Sequence, residues 1–199
     1  MMSNSRKTTR KMGTGDKGGF TIIEVVLVLA IAGLIFLMVF IALPALQRSQ
    51  RDTERRTALA NVEKGIMNYQ NNNNGKLPNS GKVDAVPDGQ YEPMDTWECS
   101  RTNPNAAKCF IRNYMNGVNA TENEFLDPQG WAYGLTIDDL GELSDGEFTL
   151  SNEDYDDYMV YIIKKAKCDG EKAVSSRNAR DYVVMYKLEG AGVYCEGSK

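Results

Sequence analysis

The 199-residue sequence predicts an α+β fold: one long N-terminal helix, apolar in its first half and amphipathic in its second, packed on a small antiparallel β-sheet. Three observations predict it. Residues 25–46 are 22 positions without a charge; at ~1.5 Å rise per residue they span about 33 Å as a helix, enough for a hydrocarbon core of ~30 Å. Farther on, Leu59, Val62, Ile66 and Tyr69 recur at steps of three and four, one apolar stripe on a continuing helix. The last third holds β-branched and aromatic runs bounded by turn residues, the signature of paired strands.

Taken in order, the helix is expected from about Thr21 to about Gln70. Pro44 should bend or open it rather than end it, because the helical pattern resumes beyond. "NNNNGKLP" stops it: Asn and Gly take left-handed cap conformations, and Pro78 forbids continuation. Residues 79–105 read as loop, and "PNAAKCFIRNYMNG" as a short helix near 105–116 with Phe110, Tyr114 and Met115 on one side and Gly117 at its end. "FLDPQGWAYGL" is a turn leading into a strand, with Trp131 and Tyr133 in the core. "YMVYIIKKAK" and "DYVVMYKLEG" are strands, "GVYCEG" a short last strand and "EFTL" an earlier edge strand. No internal repeat is present.

Charge is distributed unevenly. Residues 1–19 carry a net +4, from Arg6, Lys7, Arg10, Lys11 and Lys17 against Asp16, whereas residues 20–199 carry −8. The body is acidic, and no basic, aromatic-interleaved patch stands out along it, so these residues do not support nucleic acid as a partner. There is no histidine and no G-x-x-x-x-G-K-[ST] loop, which excludes His-based triads, His–metal sites and a P-loop motor; no enzymatic activity is expected. The four cysteines contain no C-x-x-C pair and read as two disulfides. Three pairings exist; we choose Cys99–Cys109, closing a local loop around the short helix, and Cys168–Cys195, tying the C-terminal end back to the end of the 158–167 strand. In "DDLGELSDGE", Asp138, Asp139, Glu142, Asp145 and Glu147 offer oxygen ligands of the kind calcium takes, but the spacing matches no EF-hand loop, and a solvated acidic surface is the plainer reading, as it is for "NEDYDD". No cofactor is otherwise expected. "NAT" at 119–121 is a glycosylation sequon by pattern alone.

A basic start before an apolar run also opens a secretory signal, but this run exceeds the 7–15 residues of such a segment, and cleavage near Ala45 would put Leu43 where a small residue is needed. Arg48, Arg51, Arg55 and Arg56 follow the run as closely as five basic residues precede it, so charge counting does not orient the helix. Glu24, a carboxylate at the edge of the run, is a functional candidate because it needs a partner there; otherwise it marks where the segment begins among headgroups.

"KGGFTIIEVVLVLAIAGLIFLMVF" resembles the class III signal of type IV prepilins and related pseudopilins: a basic leader ending in Gly19, then Phe20, Thr21, Glu24 and a long apolar helix containing Gly33. The resemblance covers about 30 residues of the chain. It implies a type IV pilin-like fold, cleavage by a prepilin peptidase between Gly19 and Phe20 on the cytoplasmic side, N-methylation of Phe20, and retention of the apolar helix. It further implies polymerisation through that helix, Glu24 pairing with the Phe20 ammonium of a neighbouring subunit and so setting axial register. "NGKLP" resembles the Asn-Gly-x-x-Pro turn after the long helix of many pilins, and Asp127, Pro128, Gly130 and Tyr133 resemble the Asp-Pro-x-Gly-x-x-Tyr element of secretion pseudopilins and many Gram-positive-type pilins.

The expected organisation is a leader (1–19), a membrane or filament-core helix (20–46), its amphipathic continuation (47–70) and a globular head (71–199). The expected function is a structural subunit of a cell-surface filament for adhesion, twitching motility or DNA uptake. Its implied partners are other subunits, the peptidase, an assembly platform and ATPases. It would sit single-pass in the cytoplasmic membrane before assembly and in an extracellular filament afterwards. The Asp-Pro-x-Gly-x-x-Tyr element favours a type II secretion pseudopilin as the alternative, and the long 79–125 stretch with two disulfides favours a surface pilin. A DNA-binding competence subunit is the alternative of another class.

Overall fold

The computed structural model describes residues 19–86, 99, 106–115, 125–143, 146–150, 158–190 and 192–198. Residues 1–18 of the leader, most of the 79–105 loop, Gly117, the 119–121 sequon, Asp145 and the 152–157 acidic run lie outside the described residues. The chain forms two compact units, residues 1–43 and residues 44–199.

Helix α1 runs from Ile22 to Asn72 and does not end at Pro44. Its part in the first unit is apolar on every side. Phe20, Ile22, Leu29, Phe36, Phe40 and their apolar neighbours are exposed, and the helix is long and apolar enough to cross a membrane. At its far end Asn74 and Gly75 take left-handed conformations (φ 56° and 76°). The Gly75 N–H then donates to the Gln70 carbonyl at 2.7 Å, satisfying a terminal carbonyl as a helix stop requires.

In the second unit the stripe does what its spacing predicts: Leu59, Val62 and Ile66 are fully buried. They pack on a five-stranded sheet built from β1 (Gly81–Val83), β2 (Gly134–Asp139), β4 (Met159–Lys164), β7 (Tyr182–Lys187) and β8 (Val193–Gly197), in the order β1-β2-β4-β7-β8. The short helix forms as α2 (Ala106–Phe110), followed by a π-helical turn (Ile111–Met115), and its Phe110 and Ile111 join the same core.

Two expectations about the sheet need correction. It is mixed rather than antiparallel: β2 and β4 pair in parallel, Gly134 opposite Met159 through Asp139 opposite Lys164. A parallel neighbour requires a crossover, and α3 (Leu140–Leu143) with β3 (Glu147–Thr149) lies between the two strands in sequence. Nor is there one sheet only. β3, β5 (Ala166–Asp169) and β6 (Lys172–Ser175) form a second, antiparallel sheet in the order β3-β6-β5. "EFTL" is thus an edge strand, but of this second sheet.

The run read as one strand over 158–167 breaks at Lys165, whose φ is 57°, and resumes as β5 in the other sheet. β5 and β6 meet at Asp169-Gly170-Glu171-Lys172, with Gly170 at φ 62° in the first loop position, as a II′ hairpin demands.

The second sheet explains the composition of β4 and β7. Val160, Ile162, Tyr182, Val184 and Tyr186 face α1, whereas Ile163, Val183 and Met185 face Ala166, Ala173 and Leu140 on the opposite side. Strands covered on both faces read as continuous apolar runs.

Cys99 is bonded to Cys109 (Cα–Cα 5.3 Å) and Cys168 to Cys195 (Cα–Cα 5.9 Å). The first reaches α2, and the second joins β5 to β8 and thereby one sheet to the other. By loop entropy they contribute at most about 2.8 and about 3.6 kcal/mol. Replacing Cys168 and Cys195 together by Ser is therefore expected to lower the melting temperature more than replacing Cys99 and Cys109. Thermal unfolding of both double variants checks this, and the reverse ranking would show that packing alone holds the two sheets together.

Candidate functional site

The start of α1 carries the residues on which assembly and processing would depend. Gly19 and Phe20 are exposed, with Phe20 90% accessible. Thr21 precedes the first helical residue. Its N–H and its hydroxyl both donate to Glu24 Oε2 (2.9 and 2.8 Å), and its Oγ1 accepts from the Glu24 N–H (3.3 Å). This is a capping box, in which the backbone N–H groups of Thr21 and Glu24 are each satisfied by the other residue's side chain. Within the single chain, then, Glu24 has Thr21 as its partner. Thr-x-x-Glu ahead of an apolar run is a legible sequence signature of this arrangement.

A second constellation, which sequence reading missed, lies in the second unit. Arg55 projects from the buried side of α1, and its Nε donates to Asp127 Oδ2 at 2.7 Å; the two side chains are 5% and 0% exposed. Arg55 Nη1 also reaches Asp52 at 3.2 Å and Glu189 at 3.3 Å. Asp52 in turn accepts the backbone N–H groups of Glu189 and Gly190 at 2.9 and 2.8 Å. Arg51 forks onto Glu189 through Nε and Nη2.

Asp127 is placed by its own turn. Its Oδ1 accepts from the Gln129 N–H (2.9 Å), its carbonyl accepts from the Gly130 N–H (2.8 Å), and the Tyr133 hydroxyl donates to Oδ2 (3.4 Å). The Asp-Pro-x-Gly-x-x-Tyr element is therefore one half of an ionic lock that ties α1 to the 127–131 turn and to the β7–β8 loop. Tyr133 is buried as expected. Trp131 is not in the core: it is half-buried and stacks on Tyr158 with ring centroids 4.6 Å apart.

The electrostatics follow from these contacts. Burial opposes the Arg55 charge, but hydrogen bonds to Asp127 and its negative charge outweigh that, and the guanidinium is held above its ordinary range. Burial pushes the Tyr133 phenol up. The hydrogen bond from Arg51 holds Glu189 below the usual carboxylate range. A carboxyl depressed on folding contributes stability above its unfolded pKa of about 4.3 and loses that contribution as pH falls through the folded value. The melting temperature should thus begin to fall on acidification below about pH 4, and by slightly less in Glu189→Gln, because the group is largely solvated. Parallel pH profiles of the two proteins would show Glu189 to be a bystander.

Of the acidic residues weighed as calcium ligands, Asp139 is engaged by Lys164 (3.5 Å) and Lys165 (3.2 Å), Glu147 by Lys172, and Glu142 accepts from Ser80 (3.5 Å). Burial holds Asp138 above its ordinary range. Among the described residues, no three His, Cys, Asp or Glu side chains come close enough together to hold a metal ion. A cleft of about 340 Å³ is lined by Arg55, Gln129, Tyr158, Lys187, Leu188 and Glu189. No protein-family model matches the chain, and no curated protein and no solved structure matches it.

Proposed function

We propose that the chain is a filament subunit of the type IV pilin kind, cleaved between Gly19 and Phe20 and polymerised through the apolar half of α1. The observation that carries this reading is the apolar stretch of α1, exposed on every side, with one carboxylate, Glu24, at its start. Such a surface has to be covered by lipid or by other apolar helices. A buried carboxylate in a bundle of these helices needs a cation, and cleavage before Phe20 creates an ammonium four residues away in sequence. The capping box keeps Glu24 satisfied until a neighbour supplies that cation.

Intact mass of the assembled subunit is expected to begin at a methylated Phe20. Glu24→Ala is expected to insert into the membrane normally and to lose most filament yield. A subunit retaining residues 1–19 in the filament, or normal yield from Glu24→Ala, refutes the proposal.

The Asp127–Tyr133 element supports a second reading, a secretion pseudopilin whose filament stays within the envelope. Immunogold labelling with an antibody to residues 71–199 separates the two. Labelled surface filaments mean a pilus, and label confined to the envelope means a pseudopilus.

A further inference from the structure

A pocket of about 520 Å³ opens between the first turns of α1 in the second unit and the β7–β8 loop. Ala45, Arg48, Ser49, Asp52, Thr53 and Arg56 form its helical wall. Counted from Ala45 they fall at i, i+3, i+4, i+7, i+8 and i+11, which is one face of a helix. Glu54, two positions on from Asp52, falls on the far side.

The carboxylates at this wall are already engaged. Asp52 accepts the backbone N–H groups of Glu189 and Gly190 and a hydrogen bond from Arg55. Glu189 is held by Arg51 and, at 3.3 Å, by Arg55. Arg48 reaches Glu189 only at 3.9 Å, and its side chain is 60% exposed. Arg56 is exposed and stands over the Tyr194 ring, 6.0 Å from its centroid. Of the four arginines that follow the apolar run, Arg51 and Arg55 are thus consumed by the ionic lock, and Arg48 and Arg56 face the pocket.

The pocket also begins inside the apolar run. Ala45 is the last but one of its 22 charge-free residues, and Arg48 stands about 3 Å along the axis beyond Leu46. Where such a run crosses a hydrocarbon layer of about 30 Å, Arg48 is level with the headgroups. Helical side chains lean toward the N-terminus, so Arg56 leans back toward the run.

We propose that this pocket binds the headgroup of an anionic phospholipid, its phosphate on Arg48 and its outer end under Arg56. An arginine fork matches phosphate oxygens in geometry and in charge. Arg56 sets the selectivity. A zwitterionic headgroup carries an ammonium at its outer end, which would meet a like charge there, whereas a glycerol headgroup carries hydroxyls that accept from the guanidinium. The inference rests on one part of the filament reading, that the apolar half of α1 lies in a bilayer before assembly.

The test mixes the full chain, in neutral detergent, with equal amounts of phosphatidylglycerol and phosphatidylcholine of the same acyl chains. Native mass spectrometry counts the lipid retained. Phosphatidylglycerol is expected to be retained at least about fivefold over phosphatidylcholine. Arg48→Gln should lower retention of both lipids. Arg56→Gln should keep phosphatidylglycerol bound but bring the ratio close to parity, a selective change that misfolding would not produce, and Arg56→Lys should preserve the ratio. Lys64→Gln with Lys108→Gln, which removes two charges elsewhere, should change neither quantity. Equal retention of the two lipids by the unaltered chain, or a ratio unmoved by Arg56→Gln, overturns the proposal. So does binding of inorganic phosphate, lost in Arg48→Gln, with no lipid retained; that result would assign the pocket to a free anion. Flotation of the full chain on phosphatidylcholine vesicles checks the membrane reading separately. Failure to float overturns that reading and the proposal with it, and flotation without a phosphatidylglycerol preference overturns the proposal alone.

Discussion

Arg55→Ala is expected to destabilise the second unit by about 3–5 kcal/mol, the usual cost of stripping one partner from a buried ion pair. Asp127 would be left as a charge with no exposed side-chain area and without its strongest donor. Stability margins for single domains are about 5–15 kcal/mol, so this single change consumes much of the total. At about 2–4 °C per kcal/mol for a unit of this size, the melting temperature should fall by roughly 6–20 °C.

Two comparisons make the prediction specific. Arg55→Ala combined with Asp127→Ala should cost less than the sum of the single changes, because the orphaned charge is gone. Arg51→Ala should cost below about 1 kcal/mol, since Arg51 and Glu189 are partly solvated and exposed pairs are worth little. A loss from Arg55→Ala no larger than that from Arg51→Ala would show that the lock is a surface pair in effect.

The second large effect is expected at Gly134, the first residue of β2. A Cβ there would land on Met159 Sδ and would stand 2.6 Å from the Ala85 nitrogen and 2.8 Å from the Val83 oxygen. Methionine sulfur can swing away, but backbone cannot, so Gly134→Ala must push β1 off the sheet edge or shift β2 against β4. Overpacking of this kind costs about 1–3 kcal/mol and more where main chain is the obstacle. Adding Met159→Ala should restore only part of the loss. Hydrogen exchange should report early opening at 81–83, where β1 holds the edge through Leu135, Thr136 and Ile137. Full rescue by Met159→Ala, with 81–83 still protected, would place the clash in the side chain alone.

What the sequence determined by itself is local. The charge-free run, the three-and-four stripe and the Asn-Gly-Pro stop settled a helix that spans Ile22–Asn72 against an expected 21–70. Period and capping chemistry are readable within a single turn or two, and α1 needs no distant residue to be a helix. The apolar runs over 158–167 and 181–190 likewise announced strands. The Thr21–Glu24 box and the Gly170 hairpin were equally legible, since each is carried by residues within three positions of its partner.

Apart from the Cys168–Cys195 bridge, what joins distant segments was decided by the tertiary structure. Whether β2 pairs with β4 in parallel depends on how α3 and β3 cross between them, and no window of sequence contains that choice. That Arg55 meets Asp127, 72 positions away, as well as Asp52 three positions back follows from where the stripe docks α1 on the sheet. The same docking sets Arg180 beside Gly75. Local periodicity reports which face of an element is buried. Which element covers that face is settled by loop closure and by packing of the whole core, and those depend on all the segments at once.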